Sequence, residues 1–593
     1  MTARTGLLAG WESVYSGLAR REALWLAALT VLPLLPFLGK AVSIDAPVFV
    51  AVANQIVESP TDPFGFQMIW DSSSPNAHEF NRNPPLVSYY LAGWIALFGE
   101  RDWLLHAAML PFPLIASLSF LGIARRVATQ GLAPAALLVV TPAFLVLATT
   151  LLLDVPLLAC LLFAVYALLR GAEKGGAGWQ WAAGGAAAAA GLVKYVGFSA
   201  APLVAAGVLL LVSRPAPALL RVLVPPALAW GLWGAYTASL YGSVHFLGST
   251  DVVVDRSFEP AEFWNQVVST PVYYGCALVF PIALWLTSLL RGRRGTELAV
   301  ISVLLGTAGV YWALSDGEPS RRNPIELEEA IFAALGFAGA FFLCGSCLRP
   351  SRWLASPTDR FLVLWLAGFL VFTMFLNWHV NAADALLVAP PLILFFFRSE
   401  ELRPSRRWTA ACVAFMLPLS MGLAWSDAIQ ANFYRTVAER VAAEIGGRAG
   451  DRWFVGQWGF QHYLERQGFR AVVPPMYGRS DLAKDDWVAS ARNVSQLDVS
   501  HNMNRYGLRE VWSWESHHWL PLRTTNPDAC AGFYSNHYGY VPFAWSRLPF
   551  EKLQLGRVVQ VRARPARVTG PWPLRPERRS LEVPARPGRA VRL

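Results

Sequence analysis

Charged residues are scarce in this chain. They make up 15% of its 593 residues, whereas hydrophobic residues make up 54%. Soluble domains usually carry about a quarter charged residues. The composition therefore excludes an ordinary soluble protein and predicts an integral membrane protein.

Cysteine is scarce as well, with six residues in the whole chain. Five of them lie in or next to apolar segments, and Cys530 lies in the polar C-terminal part. This distribution implies no disulfide framework. Cys344 and Cys347 have the spacing of a redox or metal pair, but they end an apolar segment without a second ligand pair. We interpret them as small apolar side chains.

Long apolar segments dominate the first three quarters of the chain. A helix needs roughly 20 apolar residues to cross the bilayer core. The pattern predicts an all-α polytopic membrane domain over residues 1–426 with about thirteen transmembrane helices. The predicted spans are residues 23–39, 103–123, 132–148, 151–169, 178–196, 198–213, 218–240, 271–290, 296–314, 327–346, 361–378, 383–397 and 408–426.

Basic residues cluster at alternate ends of these spans. Arg20 and Arg21 precede the first span, and later clusters follow the second, fourth, sixth, eighth, tenth and twelfth spans. The positive-inside rule then places the N-terminus in the cytoplasm, and the loop 40–102 and everything after residue 427 on the outer side. The net charge of +10 comes mostly from these arginines, so it indicates orientation rather than nucleic-acid binding. The start of the chain has no small-residue cleavage site, which favours an uncleaved anchor.

Motifs for nucleotides and zinc are missing. The sequence has no phosphate-binding loop of the Walker type, no dinucleotide fingerprint after a strand, and no His-Glu-x-x-His or paired Cys-x-x-Cys pattern. The predicted cytoplasmic loops are too short to build a nucleotide site. A nucleotide-linked substrate is therefore disfavoured.

The outer side is predicted to carry most of the polar structure. Within the loop 40–102, residues 46–58 and 85–99 can form amphipathic helices suited to the membrane interface. Residues 427–563 predict a mixed α/β extracytoplasmic domain, and residues 564–593 a disordered tail rich in Pro and Arg. In that domain we expect a helix over 431–445 and short strands at 453–455, 471–473, 511–514 and 557–561.

Two aspartates lie at the outer ends of predicted spans. Asp45 follows the first span, and Asp154 begins the fourth. An ionisable group at the mouth of a membrane bundle is costly to desolvate and is therefore a functional candidate. Each also has a structural interpretation, Asp45 as a helix cap or salt-bridge partner and Asp154 as a helix cap ahead of a proline. Because both lie on the same side, they could line one cavity.

Basic residues on the outer side need an explanation, because the positive-inside rule disfavours them there. Arg82 lies in a loop that ends in two prolines, Lys194 and Tyr195 end the fifth span, and Arg256 lies in the loop 241–270. An anionic phosphate at the outer leaflet would account for them. Pairing with nearby acidic residues is the alternative.

Further polar and aromatic residues share this side. His379 ends the eleventh span and is either a site residue or part of an interfacial belt, and Asn83 follows Arg82. Seven tryptophans in residues 427–563 could stack on sugar rings, although most would be core residues.

Several of these segments resemble one known family. They are Asp45 after the first span, the segment Phe80–Leu91 with its Pro-Pro and Tyr-Tyr pairs, residues 96–100, and Asp154 within residues 153–157. Together they are similar to motifs of the bacterial GT-C membrane glycosyltransferases, which include protein O-mannosyltransferases and lipid A aminoarabinose transferases. The resemblance covers roughly residues 20–400.

This resemblance implies a polyprenyl-phosphate-linked sugar donor, a lipid, glycan or protein acceptor, and chemistry at the outer face of a bacterial inner membrane. Asp45 matches the catalytic acidic position and Asp154 the second acidic position. Relatives often carry Lys immediately before the Pro-Pro pair, where this chain has Asn83 with Arg82 one step earlier. Many mannosyltransferase relatives have Asp-Glu at the first acidic site, where this chain has Asp-Ala. These departures argue against assigning mannose or aminoarabinose.

We therefore expect an inverting glycosyl transfer. Asp45 would take a proton from the acceptor, and Arg82 and Lys194 would stabilise the departing phosphate. Asp154 would position the acceptor or support Asp45. The two aspartates could also hold a divalent metal, but they are too few ligands to predict one. The alternatives are a transporter or lipid flippase, which would more usually carry carboxylates mid-span, and a non-catalytic assembly protein.

Overall fold

The computed structural model describes residues 20–70, 74–128, 130–174, 176–248, 260–289, 304, 306–308, 326–348, 356–377, 379–398, 404–473, 480–494 and 503–562. Within these ranges the chain is helical up to Ile445, and the named strands follow from Arg452 onward. The predicted tail 564–593 and Arg256 lie outside the described residues.

The part of the chain that the structure describes contains fewer membrane-length helices than the sequence pattern predicts for the whole chain. Among the described residues, six helices are long and apolar enough to cross a membrane, or seven if a bent pair within residues 265–288 is one span. The thirteen predicted spans are thus not confirmed. The six helices cover Asp102–Val127, Asp154–Glu173, Pro215–Tyr241, Leu327–Cys347, Pro357–Leu376 and Arg406–Ile445.

Several predicted spans are broken into shorter helices. The predicted span 132–148 consists of helices Leu132–Val139 and Pro142–Ala148. Thr141 separates them, because its side-chain oxygen accepts a hydrogen bond from the Phe144 N–H and starts a new helix before a proline. In chain order the helices are 20–31, Leu32–Phe37 (3-10), Ala46–Glu58, Ala77–Phe80, Leu86–Phe98, Asp102–Met109, Pro111–Val127, Leu132–Val139, Pro142–Ala148, Asp154–Lys174, Ala177–Val193, Tyr195–Ser199 (3-10), Ala200–Leu211, Pro215–Tyr241, Pro260–Leu278, Phe280–Leu289, Leu327–Cys347, Pro357–Val371, Phe372–Leu376 (π), Ala382–Arg398, Arg406–Ile445, Trp458–Arg466 and Pro527–Ala529 (3-10).

The two helices expected in the first loop are present. They run over Ala46–Glu58 and Leu86–Phe98, and they pack against each other. The Ser88 hydroxyl donates a hydrogen bond of 3.0 Å to the Phe49 carbonyl between them. This packing fixes the segment that begins at Asp45 relative to the loop that ends at Pro85.

The helix Asp154–Lys174 forms the centre of the bundle. It is the most buried of the six membrane-length helices and packs against Pro111–Val127 and Ala177–Val193. Its first residue is Asp154, so burial of the helix holds that carboxylate at the end of the bundle core.

The C-terminal part contains the expected strands beside helices. The strands are β1 Arg452–Val455, β2 Arg470–Ala471, β3 Trp487–Ala491, β4 Tyr506–Glu515, β5 Leu522–Arg523, β6 Thr525–Asn526, β7 Ala531–Gly532, β8 Ala544–Trp545 and β9 Lys552–Val561. A five-stranded sheet has the order β2-β1-β3-β9-β4, in which β1 pairs in parallel with β2 and β3, and β9 pairs antiparallel with β3 and β4. Two further pairs, β5 with β8 and β6 with β7, are antiparallel.

One helix joins the two parts of the chain without a break. It runs over Arg406–Ile445, so the helix expected over 431–445 is its end, and the predicted boundary at residue 427 falls inside it. The helix spans 40 residues, about 60 Å at 1.5 Å per residue. It therefore carries the chain from the membrane bundle directly into the sheet-containing part.

A segment of the C-terminal part sits on the bundle near the end of its helices. The Ala382 N–H donates to the Phe533 carbonyl at 2.9 Å, and the Asn536 N–H donates to the Val380 carbonyl at 2.8 Å. The Tyr273 hydroxyl lies 2.8 Å from the Gly532 carbonyl oxygen. These contacts place the C-terminal part against the loop that precedes the helix Ala382–Arg398.

Candidate active site

Asp45, Asp154 and Lys194 come together at one end of the bundle. The Lys194 ammonium donates a hydrogen bond of 2.8 Å to Asp154, with the geometry of an ion pair. Asp45 lies close enough that the charges of both Lys194 and Asp154 act on it. Three separate elements supply these groups: the first loop, the start of Asp154–Lys174 and the end of Ala177–Val193.

The backbone before Asp45 is strained. Ile44 has φ +55°, a left-handed conformation that is an outlier for a β-branched residue. Asp45 then occupies the position that precedes the helix Ala46–Glu58, but its side chain makes no capping hydrogen bond. The helix-cap interpretation of Asp45 is therefore wrong. Strain of this kind persists where the surrounding structure enforces it, and it clusters at functional sites.

The protein environment of Asp45 perturbs the pKa of its carboxyl group. Its side chain is exposed, although protein atoms surround it densely. This desolvation raises the pKa of Asp45 to about 6, with Lys194 lowering it and Asp154 raising it. A carboxyl group with such a pKa is ionised at neutral pH and is a stronger base than an ordinary aspartate.

The ion pair beside Asp45 is also partly open. The Lys194 side chain is 33% exposed and the Asp154 side chain 14%. Lys194 can therefore hold its bond to Asp154 and still present N–H donors to a ligand. Asp154 is the first residue of its helix, where a negative charge suits the helix dipole.

A third carboxylate, which the sequence analysis did not select, joins the cluster. Asp384 is buried, and its charge interacts with those of Lys194 and Asp154. It accepts hydrogen bonds from the Asn377 side chain at 3.2 Å and from the Asn381 N–H at 3.0 Å. The signal in the sequence was its place at the outer start of a predicted span, the same place as that of Asp154.

A relay of hydrogen bonds connects Lys194 to the Pro-Pro loop. The neighbouring Tyr195 hydroxyl makes a close hydrogen bond with His245 Nδ1, and the Trp233 indole N–H donates to Tyr195 at 3.0 Å. The second nitrogen of His245 lies 2.7 Å from the Asn81 carbonyl oxygen. Arg82 is the residue expected to bind the phosphate, and it directly follows Asn81 in the chain. These hydrogen bonds therefore hold the backbone next to Arg82.

The other expected site residues that the structure describes are Arg82, Asn83 and His379. Arg82 and Asn83 are half-buried, and the Asn83 N–H donates to the Asn81 side chain at 3.2 Å. His379 contacts the Asn381 side chain, with a separation of 3.1 Å, and its ring centroid lies 6.4 Å from that of His537. His379 therefore lies at the junction with the C-terminal part.

A second, buried ion pair lies near the first. Lys40 and Asp427 are in close contact, with 3% and 6% of their side chains exposed. Asp427 also accepts hydrogen bonds from the Tyr534 hydroxyl at 2.7 Å and the Thr524 hydroxyl at 3.2 Å. Tyr534 in turn lies within electrostatic reach of Asp154. The pair thus links the first loop, the long helix and the C-terminal part beside the cluster.

The described residues do not assemble a metal centre. Among them, no group of three or more His, Cys, Asp or Glu side chains is placed to hold an ion. Lys194, a cation, lies against the carboxylate of Asp154. The donor set around Asp45 and Asp154 does not fit a divalent metal.

The sequence matches one protein-family model in part. Residues 82–234 match the model described as dolichyl-phosphate-mannose-protein mannosyltransferase. This range contains Arg82, Asn83, Asp154, Lys194 and Tyr195, but not Asp45. No functionally curated protein matches the sequence.

Solved structures of membrane glycosyltransferases are similar at a low level. The oligosaccharyltransferase AglB of the archaeon Archaeoglobus fulgidus, in complex with an inhibitory peptide and a dolichol-phosphate, is 14% identical, with a TM-score of 0.45 over 84% of this chain and 73% of that chain. ArnT of Cupriavidus metallidurans, bound to undecaprenyl phosphate, is 13% identical, with a TM-score of 0.37 over 85% of this chain and 96% of that chain. The mycobacterial arabinofuranosyltransferase AftD is 14% identical, with a TM-score of 0.34 over 90% of this chain and 40% of that chain. Similarities this low carry no conclusion about substrate. Residues 82–234, less than half of the chain, thus resemble a family of membrane glycosyltransferases, and the chain has several membrane-length helices.

Proposed function

We propose that the protein transfers a sugar from a polyprenyl-phosphate donor to an acceptor hydroxyl or amine, with Asp45 as the general base. The observation that carries the proposal is the position of Asp45 beside the Lys194–Asp154 pair. Its carboxylate is exposed and makes no helix-capping hydrogen bond. The description of the matched family names a lipid-phosphate sugar as donor, which supports the same class of donor here. We place the reaction at the outer face of a bacterial inner membrane, the side that would carry the C-terminal domain.

The chemistry follows from the charges around Asp45. The acceptor oxygen or nitrogen attacks the anomeric carbon and forms the new glycosidic bond. The bond from that carbon to the phosphate oxygen breaks, and the phosphate leaves with the electron pair. Asp45 takes the acceptor proton, which makes the attacking atom more nucleophilic. Attack opposite the leaving group inverts the anomeric configuration.

The phosphate needs cations rather than a proton donor. A polyprenyl phosphate is already a good leaving group, so the step requires stabilisation of developing negative charge. Lys194 supplies one charge, with Asp154 fixing its direction through the 2.8 Å bond. Arg82, whose loop the His245 relay holds, is our proposed second cation. Arg256 and His379 would complete the contacts to the substrates, and Asn83 and Tyr195 would shape the site.

Replacing Lys194 by Met should weaken use of the donor. A hydrogen bond to a charged group contributes about 1.5–3 kcal/mol, so kcat/KM for the donor should fall about 10- to 100-fold. Steady-state kinetics with a polyprenyl-phosphate sugar measures this. Lys484→Met is the matched control, because Lys484 is exposed on the C-terminal part and removal of its charge should leave kcat/KM unchanged. Equal kinetics for Lys194→Met and the unsubstituted protein would remove Lys194 from donor binding.

The rate should depend on pH through Asp45. Its pKa is raised from 3.8 to about 6, so the base is ionised above pH 6 and protonated below it. We expect kcat/KM to be level near pH 7–8 and to fall about tenfold per pH unit below pH 6. Asp384→Asn is the control, because the charges that act on Asp45 come from Lys194 and Asp154, and its residual activity should keep the same midpoint. A rate that stays level down to pH 5 contradicts this assignment.

A further inference from the structure

The C-terminal part carries a short ribbon with two exposed tryptophans. Strand β5 pairs with β8, so that Leu522 lies opposite Trp545, and the Ser546 N–H donates to the Pro521 carbonyl at 3.1 Å. Trp519 precedes this pair along the chain. We call residues 519–523 and 544–548 the Trp ribbon.

The Trp ribbon lies against the long helix where its apolar stretch ends. The Ser426 hydroxyl donates to the Leu522 carbonyl at 2.7 Å. A Cβ atom at Gly422 would lie 3.1 Å from the Leu522 side chain, so glycine permits this close approach. At the next residue of the helix, Asp427 accepts a hydrogen bond of 3.2 Å from the Thr524 hydroxyl. The segment from Thr524 to Leu522 therefore lies alongside the helix from residue 427 back to residue 422, which is the direction toward the membrane bundle.

The surface at this level is apolar and exposed. Trp519 is 82% exposed, Trp545 69% and Leu548 43%. Trp425, on the adjoining turn of the helix, is 48% exposed and packs edge-on against Phe37 near the end of the first helical segment. Exposed indoles beside the point where the apolar stretch of the long helix ends match the distribution of tryptophan at membrane interfaces.

The ribbon is held in shape from within. The buried guanidinium of Arg523 donates to the Leu520 and Leu548 carbonyls, the first at 2.9 Å, and lies 3.6 Å above the ring of Phe550. These hydrogen bonds connect the two segments of the ribbon. Exposed Arg547 lies on the same ribbon and can meet anionic lipid headgroups. The ribbon is therefore a rigid, aromatic and cationic tip.

We propose that the Trp ribbon inserts into the headgroup region of the bilayer and anchors the C-terminal part to the membrane surface. The occupant that we assign to this surface is lipid, because the ribbon abuts the helix at the end of its apolar stretch and carries amphipathic indoles beside a cation. Anchoring holds Thr524 and Tyr534 over Asp427, so the lipid contact stabilises the junction next to the carboxylate cluster. The proposal is independent of the sugar and of the role of Asp45.

The depth of the ribbon can be measured directly. Single cysteines at Trp519→Cys and Trp545→Cys would carry a nitroxide spin label in the full-length protein, reconstituted in nanodiscs of phosphatidylethanolamine and phosphatidylglycerol. Collision rates with oxygen, which concentrates in the bilayer, and with a water-soluble nickel chelate give the depth. Arg509→Cys on the exposed strand β4 is the matched control in water, and the unsubstituted protein gives the background from native cysteines.

We expect the oxygen-to-nickel ratio at positions 519 and 545 to exceed that at position 509 several-fold. Because the replaced tryptophans are exposed, folding should persist, and a thermal melt checks it. Equal nickel access at all three positions would overturn the proposal. Spin–spin broadening that vanishes on dilution with unlabelled protein would also overturn it, since a second copy of the chain would then cover the ribbon.

Discussion

Replacement of Asp45 by Asn is expected to abolish sugar transfer almost completely while the fold remains intact. Asn keeps the shape of the side chain but cannot accept the acceptor proton. A positioned general base contributes about 10²- to 10⁴-fold, so we expect a loss of that size in kcat. The Asp45 side chain makes no capping hydrogen bond, so its replacement by Asn removes no such bond from the helix Ala46–Glu58.

The measurement is release of polyprenyl phosphate by purified protein supplied with a panel of polyprenyl-phosphate sugars. Glu58→Gln is the matched control, because Glu58 is exposed at the other end of the same helix and loses the same charge. Unchanged transfer by Asp45→Asn would exclude Asp45 as the base. Absence of transfer by the unsubstituted protein across the panel would instead favour a transporter or flippase.

A second large effect is expected at the buried Lys40–Asp427 pair. Asp427→Asn keeps the acceptor for Tyr534 and Thr524 but leaves the Lys40 charge without its counter-ion in a site where 3% of the side chain is exposed. Breaking one partner of a buried pair destabilises a protein by about 3–5 kcal/mol. The midpoint of thermal unfolding should therefore fall markedly.

The double variant Lys40→Met with Asp427→Asn separates charge from packing. It removes both charges, so most of the lost stability should return, because a buried pair is worth little relative to an apolar replacement. Asp451→Asn provides the control, since the exposed pair of Asp451 with Arg470 should contribute about 0–1 kcal/mol. If the single and double variants unfold at the same temperature, the Lys40 charge is not buried.

Helix starts and strands in the outer segments were accessible from the sequence. Residues 46–58 and 85–99 were predicted as helices, and the structure has Ala46–Glu58 and Leu86–Phe98. A proline or glycine lies at or near each end of these helices, so nearby residues in the sequence set the boundaries. The number of spans could not be predicted from apolar stretches in the same way, because Thr141 divides one such stretch by capping a second helix. An apolar run of suitable length therefore does not reveal whether one helix or two will form.

The candidate site shows the same division. Asp45 and Asp154 were selected because an ionisable group at the end of an apolar span is costly to desolvate, and Lys194 because the positive-inside rule disfavours a cation on the outer side. Asp384 was not selected, although it lies at the outer start of a predicted span in the same way as Asp154. Asp427 gave no signal, since a charge inside a long helix looks like a solvated residue until its partner is known.

Composition and the spacing of apolar and basic residues determined that this is a polytopic membrane protein with carboxylates at the ends of its helices. These properties are local, because hydropathy and helix length act over about 20 residues. Tertiary structure alone decided which charges meet. Lys40 pairs with Asp427, which is 387 residues away in the sequence, and Lys194 pairs with Asp154, which is 40 residues away. The burial that makes such pairs strong, and that raises the pKa of Asp45, exists only once the helices have packed.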